Sequence, residues 1–320
     1  MQVLSHSTNS NGSSRWWGGF LAVALAIMAL TAVALASENG ASAWPLGVEG
    51  VMTALEPPPG GTMLQYYSTG YFTHELDDAH GHSAVPNFSL YVAANSARLK
   101  HTWNVNFLGG KLGSEVAVPV VYEQLSVGNL SDDRFSLTNM LLTPLVVSYK
   151  KGPVFYYYAI DVQSPGSGYS KYNLVNIGQH YWSAAPVFGF TVLPNKGKTE
   201  LSDRSMYYVN DTNSTTSYHS GNIFITEFSA SQSVVKKMAV GVGGSYSKQT
   251  TDDTLHGVSY LDGYRSQDFK IGPTVRFPLG KAGAFIFKYY RDTLVQNTTR
   301  GNAIWFQLGV PFPNLNKREH

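Results

Sequence analysis

Apolar and polar residues alternate with a period of two in stretches of about ten, from residue 61 to residue 312, with turn-rich breaks between them. A period of two is the repeat of an extended strand, whose successive side chains leave opposite faces, so a helix cannot satisfy it. Met238, Val240, Val242, Gly244 and Tyr246 fall on one face, with Ala239, Gly241, Gly243, Ser245 and Ser247 on the other. Phe269, Ile271, Pro273, Val275 and Phe277 likewise oppose Lys270, Gly272, Thr274 and Arg276. Near the end, Ile304, Phe306, Leu308, Val310 and Phe312 oppose Trp305, Gln307 and Gly309.

Counting such stretches places twelve strands near 62–72, 89–103, 115–123, 136–149, 153–163, 180–193, 199–209, 221–231, 238–249, 268–278, 283–292 and 302–312. The connections 74–88, 124–135, 164–179, 210–220, 250–267 and 293–301 read as long and polar, and those between them as mostly short, with 150–152, 194–198, 236–237 and 278–281 tight and basic. Short turns on one rim and long loops on the other fit an all-β fold, a transmembrane antiparallel β-barrel of about twelve strands, with ten to fourteen compatible. In lipid every strand edge must find a partner, and closing the sheet provides one. A soluble β-sandwich alternates in the same way. The uniformly apolar face, strand after strand, with charges confined to the other, favours the barrel.

The segment 1–36 reads as a cleavable signal peptide: Arg15 precedes a charge-free run from Phe20 to Leu35, and Ala34-Leu35-Ala36 supplies small residues for cleavage. The run of about 16 residues is short of the roughly 20 that span a bilayer as a helix. Past residue 36 no charge-free apolar run approaches that length. The division expected is therefore signal peptide 1–36, an N-terminal periplasmic or plug segment 37–61, the barrel 62–312 and a C-terminal tail 313–320, with Phe312 as a terminal aromatic.

Composition narrows the function. Charged residues are 14% of the chain, against roughly 25% in a typical soluble protein, while 20 Tyr and 31 Gly give it a β-rich character. A net charge of +2 without a basic stripe offers nothing to nucleic acid. The absence of cysteine excludes a disulfide framework, thiolate metal sites and a Cys nucleophile. Aromatic residues gather near strand ends (Tyr66, Tyr67, Tyr71, Phe72, Phe155 to Tyr158, Tyr181, Trp182, Tyr207, Tyr208, Tyr289, Tyr290, Trp305 and Phe312), where a girdle at the lipid–water interface would use them.

The alternation turns Glu123, Phe155, Tyr157, Asp161, Glu227, Lys270, Arg276 and Lys288 inward as candidate lumen-lining residues. Both signs of charge could filter solutes, or could pair across the interior and fill it. Pro57-Pro58-Pro59 holds the end of the N-terminal segment extended, compatible with either a lumen plug or a periplasmic lead-in. His74, Glu75, Asp77, Asp78, His80 and His82 form the densest group of metal-competent side chains, but on a loop without fixed ligand geometry a solvated surface is the better reading, and no metal or cofactor is expected.

Catalytic signatures are thin. No G-x-S-x-G occurs, and S-x-x-K appears at Ser148 with Lys151, Ser233 with Lys236 and Ser245 with Lys248 without any supporting motif. His180, His219 and His256 lie near loops and leave a rim hydrolase as an alternative, beside a structural or binding barrel with no open pore.

Several segments resemble one family, the outer-membrane proteins named for the meta-pathway of phenol degradation. They are the Asn39-Gly40 and Trp44-Pro45-Leu46-Gly47 entry followed by Pro57-Pro58-Pro59-Gly60, then Ser164-Pro165-Gly166-Ser167-Gly168-Tyr169 and Asn176-Ile177-Gly178-Gln179-His180-Tyr181-Trp182. Gln249-Thr250-Thr251-Asp252-Asp253 and Gly272-Pro273 follow near the end. Around Thr138-Asn139-Met140 the chain departs from the family pattern, where a Gly-Asp pair is more typical. The resemblance implies a bacterial outer-membrane barrel linked to uptake of aromatic or apolar carbon sources. The partners expected are therefore outer-membrane lipid and small aromatic or apolar solutes; the sequence leaves a homo-oligomer open. Passive passage through the lumen, without an enzyme reaction, is the function expected.

Overall fold

The computed structural model describes residues 42–235, 238–280 and 282–312. The expected signal peptide and C-terminal tail lie outside them. The strands are β1 (Thr62–Leu76), β2 (Phe88–Phe107), β3 (Gly110–Val127), β4 in two pieces (Leu130–Leu137 and Leu141–Lys151), β5 (Val154–Gln163), β6 (Ser183–Val192), β7 (Thr199–Asn210), β8 (Ile223–Ser233), β9 (Ala239–Gln249), β10 (Gln267–Leu279), β11 (Gly283–Gln296) and β12 (Thr299–Phe312). Each pairs antiparallel with its sequence neighbours, and β1 pairs with β12 from Thr62↔Phe312 to Leu76↔Thr299, so the twelve strands close into a barrel.

Both chain ends of the barrel sit on the rim of short turns. Leu108 and Gly109, both at positive φ, close the β2–β3 hairpin there, a backbone twist that matches the flanking strands. At the opposite rim two connections differ from expectation. The stretches 124–135 and 293–301 are not long loops: β3 and β4 run on to a turn at Gly128 and Asn129, and β11 and β12 to one at Asn297 and Thr298. On the first of these hairpins the outward positions Gln124, Ser126, Ser131 and Asp133 are polar while the strand pairing continues, so the loss of an apolar outer face does not end the strand. The loops 211–222 and 250–266 join in a small sheet in which Tyr218–His219 pairs with both Thr212–Asn213 and Thr254–Leu255.

The outward face carries large exposed apolar side chains: Leu99, Val116, Leu142, Ile160, Val242, Phe277 and Phe306 are all more than a third exposed. A continuous apolar surface of this kind is untenable in water and is the lipid face of a barrel. Asp203 is an exception to the apolar outer face. It lies between inward Ser202 and Arg204, and takes hydrogen bonds from Ser205 Oγ (2.8 Å) and Thr226 Oγ1 (2.5 Å), outward hydroxyls that satisfy its carboxylate.

The aromatic girdle needs a second correction. Tyr67, Tyr157, Tyr181, Tyr208, Tyr290 and Trp305 are buried, because neighbours in an extended strand point to opposite faces. Tyr66, Phe72, Tyr158, Trp182 and Phe312 remain exposed on the outer side.

The Thr138-Asn139-Met140 departure is where β4 is interrupted. Asn139 turns inward and grips the following loop, donating from Nδ2 to the carbonyls of Ser164 (2.7 Å) and Gln179 (3.2 Å) and accepting from the Gln179 backbone N–H (3.0 Å).

Candidate functional site: the lumen and the segment inside it

Residues 42–61 run inside the barrel and are held by side chains from strands far away in sequence. Glu227 on β8 accepts the backbone N–H of Gly47 and, at 2.8 Å, that of Glu49. Glu200 on β7 accepts from Met52 (3.0 Å), and Thr191 on β6 from Ala54 (3.1 Å). Lys288 on β11 donates to the carbonyls of Gly47 (2.6 Å), Val48 (2.8 Å) and Glu49 (3.2 Å). An irregular segment lacks a ladder to pair its backbone groups, so three charged side chains and the Thr191 hydroxyl supply partners that buried N–H and C=O groups require.

Side chains of the segment are gripped in turn. Glu49 pairs with Arg98, which also pairs with Glu115, and Tyr67 donates to Glu49 at 2.7 Å. Lys100 bridges Glu56 (2.6 Å) and Glu115 (3.3 Å). Trp44 lies over the Arg204 guanidinium at 4.7 Å, and Arg204 pairs with Asp161. Burial alone would raise the Glu49 carboxyl, but Arg98, Lys100 and Arg204 outweigh it and hold the group at about 2. Burial pushes Glu56 upward against the pull of Lys100, and Glu115 adds to the rise.

Gly47 is required by its seat. Its φ is +96°, and an added Cβ would lie 2.9 Å from the Tyr290 ring.

Toward the loop rim, above the segment, lies a cavity of about 1130 Å³. One wall is apolar: Phe88, Leu90 and Val92 from β2, with Val121, Leu125 and Val127 from β3. Trp44, Leu46 and Val48 of the segment also line it, while Tyr71, Lys270 and Asp268 make a polar side. Lys270 is neutralised by Asp268 (3.0 Å) and Asp292 (3.2 Å).

Of the residues expected to line the lumen, Glu123 and Lys270 border this cavity. Tyr157 and Asp161 are buried together on Arg204, and Glu227 and Lys288 are buried on the segment. Phe155 packs against the interior core, and Arg276 is half-buried, its Nε without a partner among the described residues. The interior thus pairs most of its charges rather than presenting them as an open ring. Arg98, Lys100, Glu115, Glu200 and Arg204, which carry much of this network, were not singled out from the sequence. Arg98 and Lys100 are two residues apart and Glu200 and Arg204 four apart, so each pair shares one face of a strand and that spacing would have found it; Glu115 has no such partner.

The other sequence candidates are dispersed. In the first loop Asp77 accepts from Arg300, and Asp78 Oδ1 accepts the backbone N–H groups of His80 (2.8 Å) and His82 (3.0 Å), so these carboxylates close the loop. His180 stacks on Tyr169 at 4.7 Å, His219 Nδ1 lies 3.4 Å from Thr212 Oγ1, and Ser148 donates to the Lys111 carbonyl, none of them a nucleophile–base pair.

The fold is similar to that of an outer membrane channel from Pseudomonas putida F1, at 16% identity and a TM-score of 0.70 over 81% of this chain and 98% of that one. Looser similarity extends to the beta domain of the Bordetella autotransporter BrkA (11% identity, TM-score 0.46, 80% of this chain and 100% of that one). It extends also to a FadL homologue from Pseudomonas aeruginosa (10% identity, TM-score 0.40, 88% and 97%). No curated protein sequence matches the chain. The closed barrel, its apolar outer wall and this fold make it a protein of the bacterial outer membrane. The family described as "Putative MetA-pathway of phenol degradation" matches residues 73–308, and the chain belongs to it.

Proposed function

We propose that the protein is a passive channel for small aromatic or apolar molecules, which bind in the loop-side cavity and pass when residues 42–61 yield. The observation that carries this reading is the cavity itself: about 1130 Å³, with an apolar wall from β2 and β3 and a floor that includes Trp44 and Leu46. Apolar walls with a few polar groups are the common chemistry of small-molecule sites, and this volume, just above the usual range of roughly 300–1,000 Å³, admits a small aromatic with room to spare. The segment acts as a plug: its hydrogen bonds to Glu227, Glu200 and Lys288 fill the lumen on the side of the short turns. The interior charges anchor that plug instead of filtering ions.

Single-channel conductance of the purified protein in a planar bilayer, with and without phenol or benzoate, tests the reading. Steps whose amplitude or dwell time changes with the aromatic are expected. Silence under every condition would contradict a channel and favour a binding barrel without an open path.

A further inference from the structure

Glu123 stands apart from the other interior acids. Glu49, Glu115, Asp161, Asp268 and Asp292 are ion-paired, and Glu200 and Glu227 each accept hydrogen bonds from the N-terminal segment. Glu123 has no hydrogen-bond or ion-pair partner among the described residues, yet it borders the cavity. Its neighbours along the inward face of β3 are Val121 and Leu125, and Val92 is opposite it on β2. Arg134 is opposite on β4 but its Nε is directed to Asp132 at 3.3 Å. Its carboxyl, half-buried among apolar side chains and facing the cavity, is left free to accept a hydrogen bond from an occupant.

We infer that Glu123 is the specificity-determining residue of the cavity, accepting a hydrogen bond from the hydroxyl of a phenol-type solute whose ring lies on the Leu90, Val92 and Leu125 wall. The inference rests on the proposed binding of apolar solutes in this cavity and deepens it, from apolar molecules in general to those carrying one hydroxyl donor. Toluene has nearly the shape of phenol and lacks the donor, so the pair isolates this contact.

Equilibrium dialysis of the full chain in detergent, corrected with protein-free micelles, measures both ligands against wild type, E123Q and E123L. The hydrogen bond should favour phenol over toluene by about tenfold in wild type. E123Q, which keeps an acceptor oxygen, should retain most of that preference. E123L should abolish it while binding toluene at least as well. A phenol preference unchanged in E123L, with both ligands bound, would overturn the role of Glu123 and leave the apolar cavity reading intact. Binding of neither ligand to wild type would overturn both. Heat-modifiable mobility on a denaturing gel confirms that each variant is a folded barrel.

Discussion

Glu49 and Arg98 form an ion pair with both side chains 2% exposed, joining the N-terminal segment to the wall strand β2. Arg98 simultaneously holds Glu115 on β3, so a single guanidinium ties the segment to two strands. Removing one member of such a buried group leaves the others uncompensated, which is costlier than never having built it. R98M should destabilise the folded protein by about 3–5 kcal/mol, and adding E49Q should recover part of the loss. Thermal unfolding followed by heat-modifiable mobility would read both; equal melting of R98M and wild type would contradict the anchoring role.

Acidification should weaken the same contact. Glu49 is held at about 2 against an ordinary value of 4.5. Its folded value is depressed, so its contribution is complete above about pH 5 and is lost as pH falls through about 2. Glu56, pushed upward, works in the opposite sense and favours the folded state at lower pH. The larger anchor is Glu49, so conductance should stay constant from pH 7 to pH 5 and rise toward pH 3 as the segment loosens. In E49Q the rise should vanish.

Gly47 offers a steric handle on the segment without substituting a residue of the barrel wall. G47V puts a branched side chain against the Tyr290 ring and at a φ of +96° that Val avoids. The variant should conduct better than wild type while melting within a few degrees of it, because the strands keep their ladders. Unchanged conductance would mean that the seat at Gly47 does not control the path.

Much of this architecture was legible in the sequence, and the reason is the period of two. Alternation in β9, β10 and β12 assigns the lipid and lumen faces of residues 238–249, 268–278 and 302–312 residue by residue. The same rule, applied to the adjacent pairs Tyr66-Tyr67 and Tyr289-Tyr290, separates girdle from interior; clustering at strand ends alone hides it. Strand ends were harder, because β3, β4, β11 and β12 continue beyond the point where the apolar outer face ends, as at Gln124 and Ser126 of β3. The seat of residues 42–61 was beyond reach: Gly47 meets Glu227 across 180 residues and Lys288 across 241, and no local pattern announces such contacts.

The outer face makes a separate prediction. Val242 is 48% exposed on the lipid side of β9, while Ser245 on the same strand is fully buried inside. V242K should cost about 2–4 kcal/mol if the position lies near the bilayer midplane, measured by urea unfolding in lipid vesicles. A cost near zero would place Val242 at the interface instead.

The most direct test compares single-channel conductance of the full chain with that of a chain lacking residues 38–56. If the segment closes the lumen, the deletion should give stable steps several-fold larger than those of the full chain, with the barrel still heat-modifiable. Equal conductance from the two proteins would contradict the plug and require another route for solutes.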